Sequence, residues 1–335
     1  MSVPVDAGPV PARLPPADPQ AAGPEVVLLC EALVAFLAAD GLPLRDATTY
    51  RRAVVGAELN VATGLVRLGH EVLFCGRTGT DALGRVVQDA LRARGVGSAL
   101  VTDAAPTGVL VRDVSGSRPV EVGYVRAGSA GSRLSEPDLP ARALEQARLL
   151  HLSGITATLS DSANGACRAA VERVRAHGGA VSFDPNLRRS LMDLDGARQQ
   201  LLPVLGQTSL LLAGSDELEW LSGRADAADG TEWALDQGVA LVVVKDGARG
   251  ARADDGTRRW SVPARAVATA DPVGAGDAFA VGLLSALLRG SGVEQALTEG
   301  AAVASLVVAT PGDAEGLPDR ALLDRLLASD EPVHR

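Results

Sequence analysis

Short runs of β-branched and leucine-rich residues alternate along this chain with alanine-rich amphipathic stretches, and that alternation constrains the fold most. Strands are expected in VVLLC (26–30), EVLFCG (71–76), RLLHLSG (148–154), AVSFDPN (180–186), SLLLAG (209–214) and ALVVVKDG (240–247). Helices are expected over 57–69, 82–95, 162–178, 215–223 and 276–290. Runs of this kind read as βαβ units around a parallel sheet, that is, an α/β protein. The helix over 276–290 is apolar on nearly every side, so it belongs at the centre of the core. Residues 107–126 differ, alternating apolar and polar around the turn VSGSRP, which predicts a small antiparallel flap.

Composition narrows the classes of partner. A chain of 335 residues, 47% hydrophobic and 22% charged, can bury a large core. Its net charge of −9 gives no electrostatic footprint for nucleic acid or for an anionic membrane surface, so neither is expected as a partner. The longest apolar runs, such as AAVASLVVA (301–309), are far too short to span a bilayer. The three cysteines, Cys30, Cys75 and Cys167, show neither a CxxC pair nor metal-ligand spacing, which suits small buried hydrophobes in a reducing, cytoplasmic setting. Residues 1–24, rich in proline and alanine, lack the pattern of a signal peptide and are expected to be a disordered tail. Of the 32 basic residues only Lys245 is a lysine, which confines any lysine-dependent chemistry to that position.

The polar clusters FDPN (183–186), GSDELE (214–219), KDG (245–247) and DPVGAGD (271–277) fall where predicted strands hand over to helices. In open α/β sheets the ligand crevice lies at those carboxyl ends, so the clusters should converge. No GxxxxGK[ST] is present, and Phe279 breaks any GxGxxG reading of GAGDAF. A helix-terminal anion hole remains: Gly274, Ala275, Gly276 and Asp277 would turn backbone N–H groups toward a transferring phosphoryl group. Asp277 could accept the proton of an attacking alcohol there. An isolated GAGD is more often an ordinary helix start with a dipole-favoured acid. The rest of the chain supplies the context.

Asp271–Phe279 resembles the carboxy-terminal signature D-T-T-G-A-G-D-x-F of the ribokinase-like (PfkB-type) carbohydrate kinases. VGAELNVATGLVRLG, followed by GRTGTDALG (76–84), resembles their amino-terminal signature, and the resemblance runs from about Glu25 to Asp324. It implies a three-layer α/β/α sandwich with a mostly parallel central sheet, a domain over 25–330, and a β lid from about 32–56 and 107–126. YVRAGSAGSRLS (124–135), LLHLSGITATLS (149–160) and SFDPNLRRSL (182–191) look most like 2-keto-3-deoxygluconate kinases.

By that resemblance Asp277 is the base and Gly274–Gly276 the anion hole, while Gly56, Asn60, Tyr124, Arg126 and Arg188 surround the sugar or sugar acid. Arginine suits a substrate carboxylate because its planar fork donates two parallel hydrogen bonds. ATP and Mg²⁺ are implied as cofactors, with a monovalent cation such as K⁺ left open; no metal ligand is assigned. Asp184, Asn186, Ser215, Lys245, Gly247 and Gly250 are expected on the nucleotide side. A flap with an exposed edge favours a homodimer or higher homo-oligomer. The chain departs from the pattern at Cys30, Val55, Leu110 and Ala301, which keeps a kinase for a neutral sugar or nucleoside in view. A catalytically idle sugar- or nucleotide-binding protein is the alternative of another class.

Overall fold

The computed structural model describes residues 14–16, 23–113, 120–188, 194–269 and 271–329. The chain begins with β1 (Val26–Leu29), β2 (Leu33–Ala38) and β3 (Tyr50–Val55), then α1 (Ala57–Arg67), β4 (Val72–Gly79), α2 (Ala82–Ala93), β5 (Gly97–Asp103), β6 (Val109–Arg112) and β7 (Val122–Val125). It continues through α3 (Ala141–Gln146), β8 (Leu149–Ser153), α4 (Gly154–Ala157), α5 (Asp161–Ala176), β9 (Ala180–Asp184), α6 (Leu194–Leu205), β10 (Leu210–Gly214), α7 (Ser215–Ser222) and α8 (Ala227–Asp236). The last part holds β11 (Leu241–Lys245), β12 (Ala251–Asp254), β13 (Arg259–Val262), α9 (Ala275–Leu288), α10 (Val293–Val308) and α11 (Arg320–Ala328).

Nine strands form the main sheet in the order β13-β12-β11-β10-β9-β8-β1-β4-β5. From β5 to β11 every neighbouring pair is parallel, and only the edge pairs β11/β12 and β12/β13 are antiparallel. Successive side chains of a strand point to opposite faces, so a strand covered on both sides must be apolar throughout. The sorting is visible residue by residue. Val26, Leu28, Leu210, Leu212, Leu241 and Val243 pack with α1, α2, α9, α10 and α11. Val27, Leu29, Leu211, Ala213, Val242 and Val244 pack with helices α3 to α8. These are the three layers expected.

A second, four-stranded sheet in the order β3-β2-β6-β7 forms the lid. Its β6/β7 pair is antiparallel, as the alternation in 107–126 predicts, while the VSGSRP turn at 114–119 lies outside the described residues. Most of the amino-terminal tail also lies outside them. Of its described part, Leu14 packs on the core and the Pro15 carbonyl accepts Arg148 Nε–H at 2.8 Å.

The predicted handover from strand to helix needs correction at two of the four polar clusters, KDG and DPVGAGD. Of the four clusters, only GSDELE sits where a strand, β10, runs straight into a helix, α7. Strand β11 reverses instead into β12 through a turn in which Asp246 N–H donates to the Gly250 carbonyl at 2.8 Å. That turn needs left-handed backbone at Gly247 (φ 55°) and Gly250 (φ 99°), and the Cβ of any residue at 250 would lie 2.0 Å from the Val262 carbonyl. The DPVGAGD segment follows the antiparallel edge strand β13, with loop residues between. The clusters still meet at one end of the sheet, because β9, β10 and β11 all finish there.

Candidate active site

Helix α9 is the centre of the site. Gly274, its N-cap, is left-handed at φ 79°, and a Cβ there would sit 2.4 Å from the Asp313 carbonyl, so only glycine fits. Ahead of it, Asp271 Oδ1 accepts Val273 N–H at 3.0 Å and fixes the approach of the chain. The N–H groups of Gly276 and Asp277 have no partner among the described residues, which leaves them for a ligand anion.

Asp277 is 7% exposed and held by two amides from elements distant in sequence. Asn60 Nδ2, on α1, donates to Oδ2 at 2.9 Å, and Asn186 Nδ2, on the loop after β9, donates to Oδ1 at 3.2 Å. Asn186 reaches it from a left-handed conformation (φ 44°) stabilised by its own N–H on Asp184 Oδ1 at 3.0 Å. Burial pushes the Asp277 carboxyl up to about 7; Asn60 opposes the shift, Asp184 adds to it, and Arg188 and Lys245 oppose it. Among the described residues the Oδ1 atoms of Asn60 and Asn186 are buried without a partner, which leaves them able to accept from a ligand hydroxyl.

Behind this carboxylate, Lys245 Nζ donates to Asp184 Oδ2 at 2.5 Å. Burial works against the Lys245 ammonium, but Asp184, Glu217 and Asp277 outweigh it and raise its pKa. Glu217 accepts from Leu187 N–H at 2.8 Å and Gly214 N–H at 2.7 Å, tying the β9 and β10 ends together.

A cavity of about 460 Å³ between the lid and the sheet end is lined by Gly56, Asn60, Tyr124, Arg126, Asn186, Arg188, Lys245 and Gly274–Asp277. Every residue expected near the sugar is thus brought to one cavity. On the nucleotide side, Asn186 and Lys245 line it, whereas Asp184, Ser215, Gly247 and Gly250 do not. Ser215 Oγ donates to Asp246 and faces a second cavity beside Arg249 and Trp260. Of the departures, Val55 and Leu110 line the first cavity, Cys30 Sγ–H donates to the Glu31 carbonyl at 3.1 Å beside Gly56, and Ala301 packs on the core.

Five charged residues lining the cavity, Glu31, Glu58, Arg112, Glu217 and Asp313, carry no sequence-based assignment. Glu31, 4% exposed, accepts at Oε2 from both Arg126 Nε (2.8 Å) and Nη2 (2.6 Å), and at Oε1 from Ser129. Its place just past the end of β1, on the carboxyl edge, was the available signal. Arg112, on β6, and Asp313, between α10 and α11, belong to no motif. Among the described residues no three His, Cys, Asp or Glu side chains cluster as a metal site.

The chain matches the pfkB family carbohydrate kinases over residues 30–320. It is 32% identical over 316 residues to 2-dehydro-3-deoxygluconokinase of Bacillus subtilis (strain 168), covering 93% of this chain and 98% of that one. It is 33% identical over 318 residues to the enzyme of the same name from Thermoproteus tenax, covering 92% and 96%. Fructokinase-2 of Zea mays is 31% identical over 267 residues, covering 77% and 78%. Among solved structures, a PfkB protein from Polaromonas sp. JS666 superposes with a TM-score of 0.81 at 35% identity, covering 90% of this chain and 99% of its own. An E. coli protein crystallised with ATP and Mg²⁺ gives 0.85 at 25%, covering 91% and 99%. A Vibrio cholerae fructokinase with fructose, ADP and potassium bound gives 0.81 at 26%, covering 91% and 99%.

Proposed function

This chain belongs to the pfkB family of carbohydrate kinases, and we propose that within it the acceptor is a sugar acid, 2-keto-3-deoxygluconate first and 2-keto-3-deoxygalactonate next. The observation that carries the reading is the Asp277 carboxylate, buried and pushed up to about 7, beside unpaired helix-terminal amides in a cavity bearing Arg126 and Arg188. The acceptor hydroxyl gives its proton to Asp277 as its oxygen bonds the terminal phosphorus of ATP and the bond to the ADP oxygen breaks. The Gly276 and Asp277 amides offset the charge gathering on the transferring group. Asn60 and Asn186 orient Asp277 through their amide donors.

The residues present fit a metal-bound polyphosphate: free amides and Lys245 suit the phosphates, and Asp184 and Glu217 are the carboxylates facing Lys245. Mg²⁺, when bound, supplies neutralisation of phosphate charge. A monovalent cation near the Gly274 turn fits less well, because Asp271 and Asp313 already share the Arg112 guanidinium. The lid over the cavity would exclude water and so limit ATP hydrolysis.

One observation favours a second reading, a neutral-sugar kinase. Glu31 already engages the Arg126 fork, which among the described residues leaves Arg188, exposed at the cavity edge, as the arginine available to a substrate carboxylate. Arg188→Ala separates the two. For a sugar-acid kinase it should raise KM for 2-keto-3-deoxygluconate about 10- to 100-fold, the worth of one charge-assisted hydrogen bond, while sparing fructose. Equal effects on both acceptors, or a wild-type preference for fructose, would move the assignment to the neutral sugar.

A further inference from the structure

One buried ion cluster joins the lid to the anion hole. Arg112 ends β6 two residues after Leu110, so both side chains leave the same face of the lid and both line the cavity. The Arg112 side chain is 5% exposed and reaches two loops of the main body. Nη2 donates to Asp271 Oδ2 at 3.1 Å, and Nη1 lies 3.4 Å from Asp313 Oδ1. Those two residues bracket Gly274: Asp271 holds Val273 N–H just before the turn, and the Asp313 backbone packs where a side chain at 274 would be. Burial pushes the Asp313 carboxyl up, with Arg112 opposing and Asp271 and Glu315 adding to the shift, so the guanidinium offsets part of the cost of burying that acid. The cluster is not closed: among the described residues Arg112 Nε and Asp313 Oδ1 are buried without hydrogen-bond partners.

We propose that Arg112 is a positioning residue for phosphoryl transfer: carried by the lid, its guanidinium neutralises Asp271 and Asp313 and so sets the Gly274 turn that aims the Gly276 and Asp277 amides. The proposal rests on the kinase reading. Arg112 acts through the turn rather than on the reacting atoms.

The test is a double-mutant cycle of Arg112→Gln and Asp313→Asn, read by kcat and by amide hydrogen exchange across 271–277. Arg112→Gln should lower kcat about 100-fold, the cost of misplacing a catalytic group by about an ångström, with a much smaller change in acceptor KM. It should quicken exchange across 271–277. Adding Asp313→Asn removes the charge left unpaired and should restore kcat at least about fivefold and slow the exchange again. Losses that multiply in the double variant, or a fall in kcat with unchanged exchange, overturn the proposal. Arg112→Lys, which keeps the charge without the two-armed fork, guards against misfolding of the glutamine variant. It should fall between wild type and glutamine in both readouts, and wild-type values in both would overturn the proposal. The exchange readout needs no acceptor, so failure of the kinase reading, seen as no ADP release by the wild type, is distinguishable from failure of this coupling.

Discussion

At Asp277, burial disfavours the charged form while two amide donors hold the carboxylate in place. The balance, near 7, makes a base that is available at neutral pH and stronger than an ordinary aspartate. Catalysis requires the ionised form, so kcat should rise with pH through about 7 and be lost below it. Asp277→Asn should lower kcat about 10³-fold and abolish that pH dependence, which a pH–rate profile of both proteins would check. Stability should run the other way. A carboxyl raised from 3.8 to about 7 in the folded state keeps its proton while the unfolded chain loses it, so wild-type stability falls as pH rises between those values. Urea melts at pH 4 and pH 8 should show Asp277→Asn gaining on the wild type at pH 8 alone.

Helix α9 shows how an element can be legible in sequence for one reason and built for another. Its all-round apolar character places it in the core, and its residues Asp277 to Ser285 are indeed buried. What the periodicity does not reveal is how closely it is gripped. A Cβ at Gly282 would lie 2.4 Å from the Glu299 carbonyl of α10, a contact with backbone that no rotamer change relieves. Gly282→Ala should therefore destabilise the protein by about 1–3 kcal/mol in chemical denaturation, with the carboxyl end of α9 forced off α10. The parallel strands were legible because double burial leaves an unbroken apolar run, and the GAGD turn because glycine and acid occur together at a helix start. The reversal after β11 was not, since its glycines read equally well as a loop before a helix. The Arg126–Glu31 and Arg112–Asp271 pairs were not either: their partners lie 95 and 159 residues apart, and no local pattern encodes which acid a given arginine meets.

Across the whole molecule, two helical layers leave only the ends of the sheet free, and the carboxyl end carries the chemistry. The lid closes the open side of that end with residues from both its hairpins, including Val55, Leu110, Tyr124 and Arg126. Ligands binding between lid and body should stabilise the folded state by mass action: Mg-ATP with acceptor at about 100 times their Kd should raise Tm by about 5 °C or more in a thermal melt. The most direct test of the account is ADP release by purified protein with Mg-ATP over 2-keto-3-deoxygluconate, 2-keto-3-deoxygalactonate, fructose, ribose and adenosine, with Asp277→Ala in parallel. The account predicts turnover concentrated on the two keto-deoxy acids and lost in the variant. Turnover on a keto-deoxy acid that survives Asp277→Ala would contradict it at the base, and turnover on fructose, ribose or adenosine alone would contradict the sugar-acid assignment.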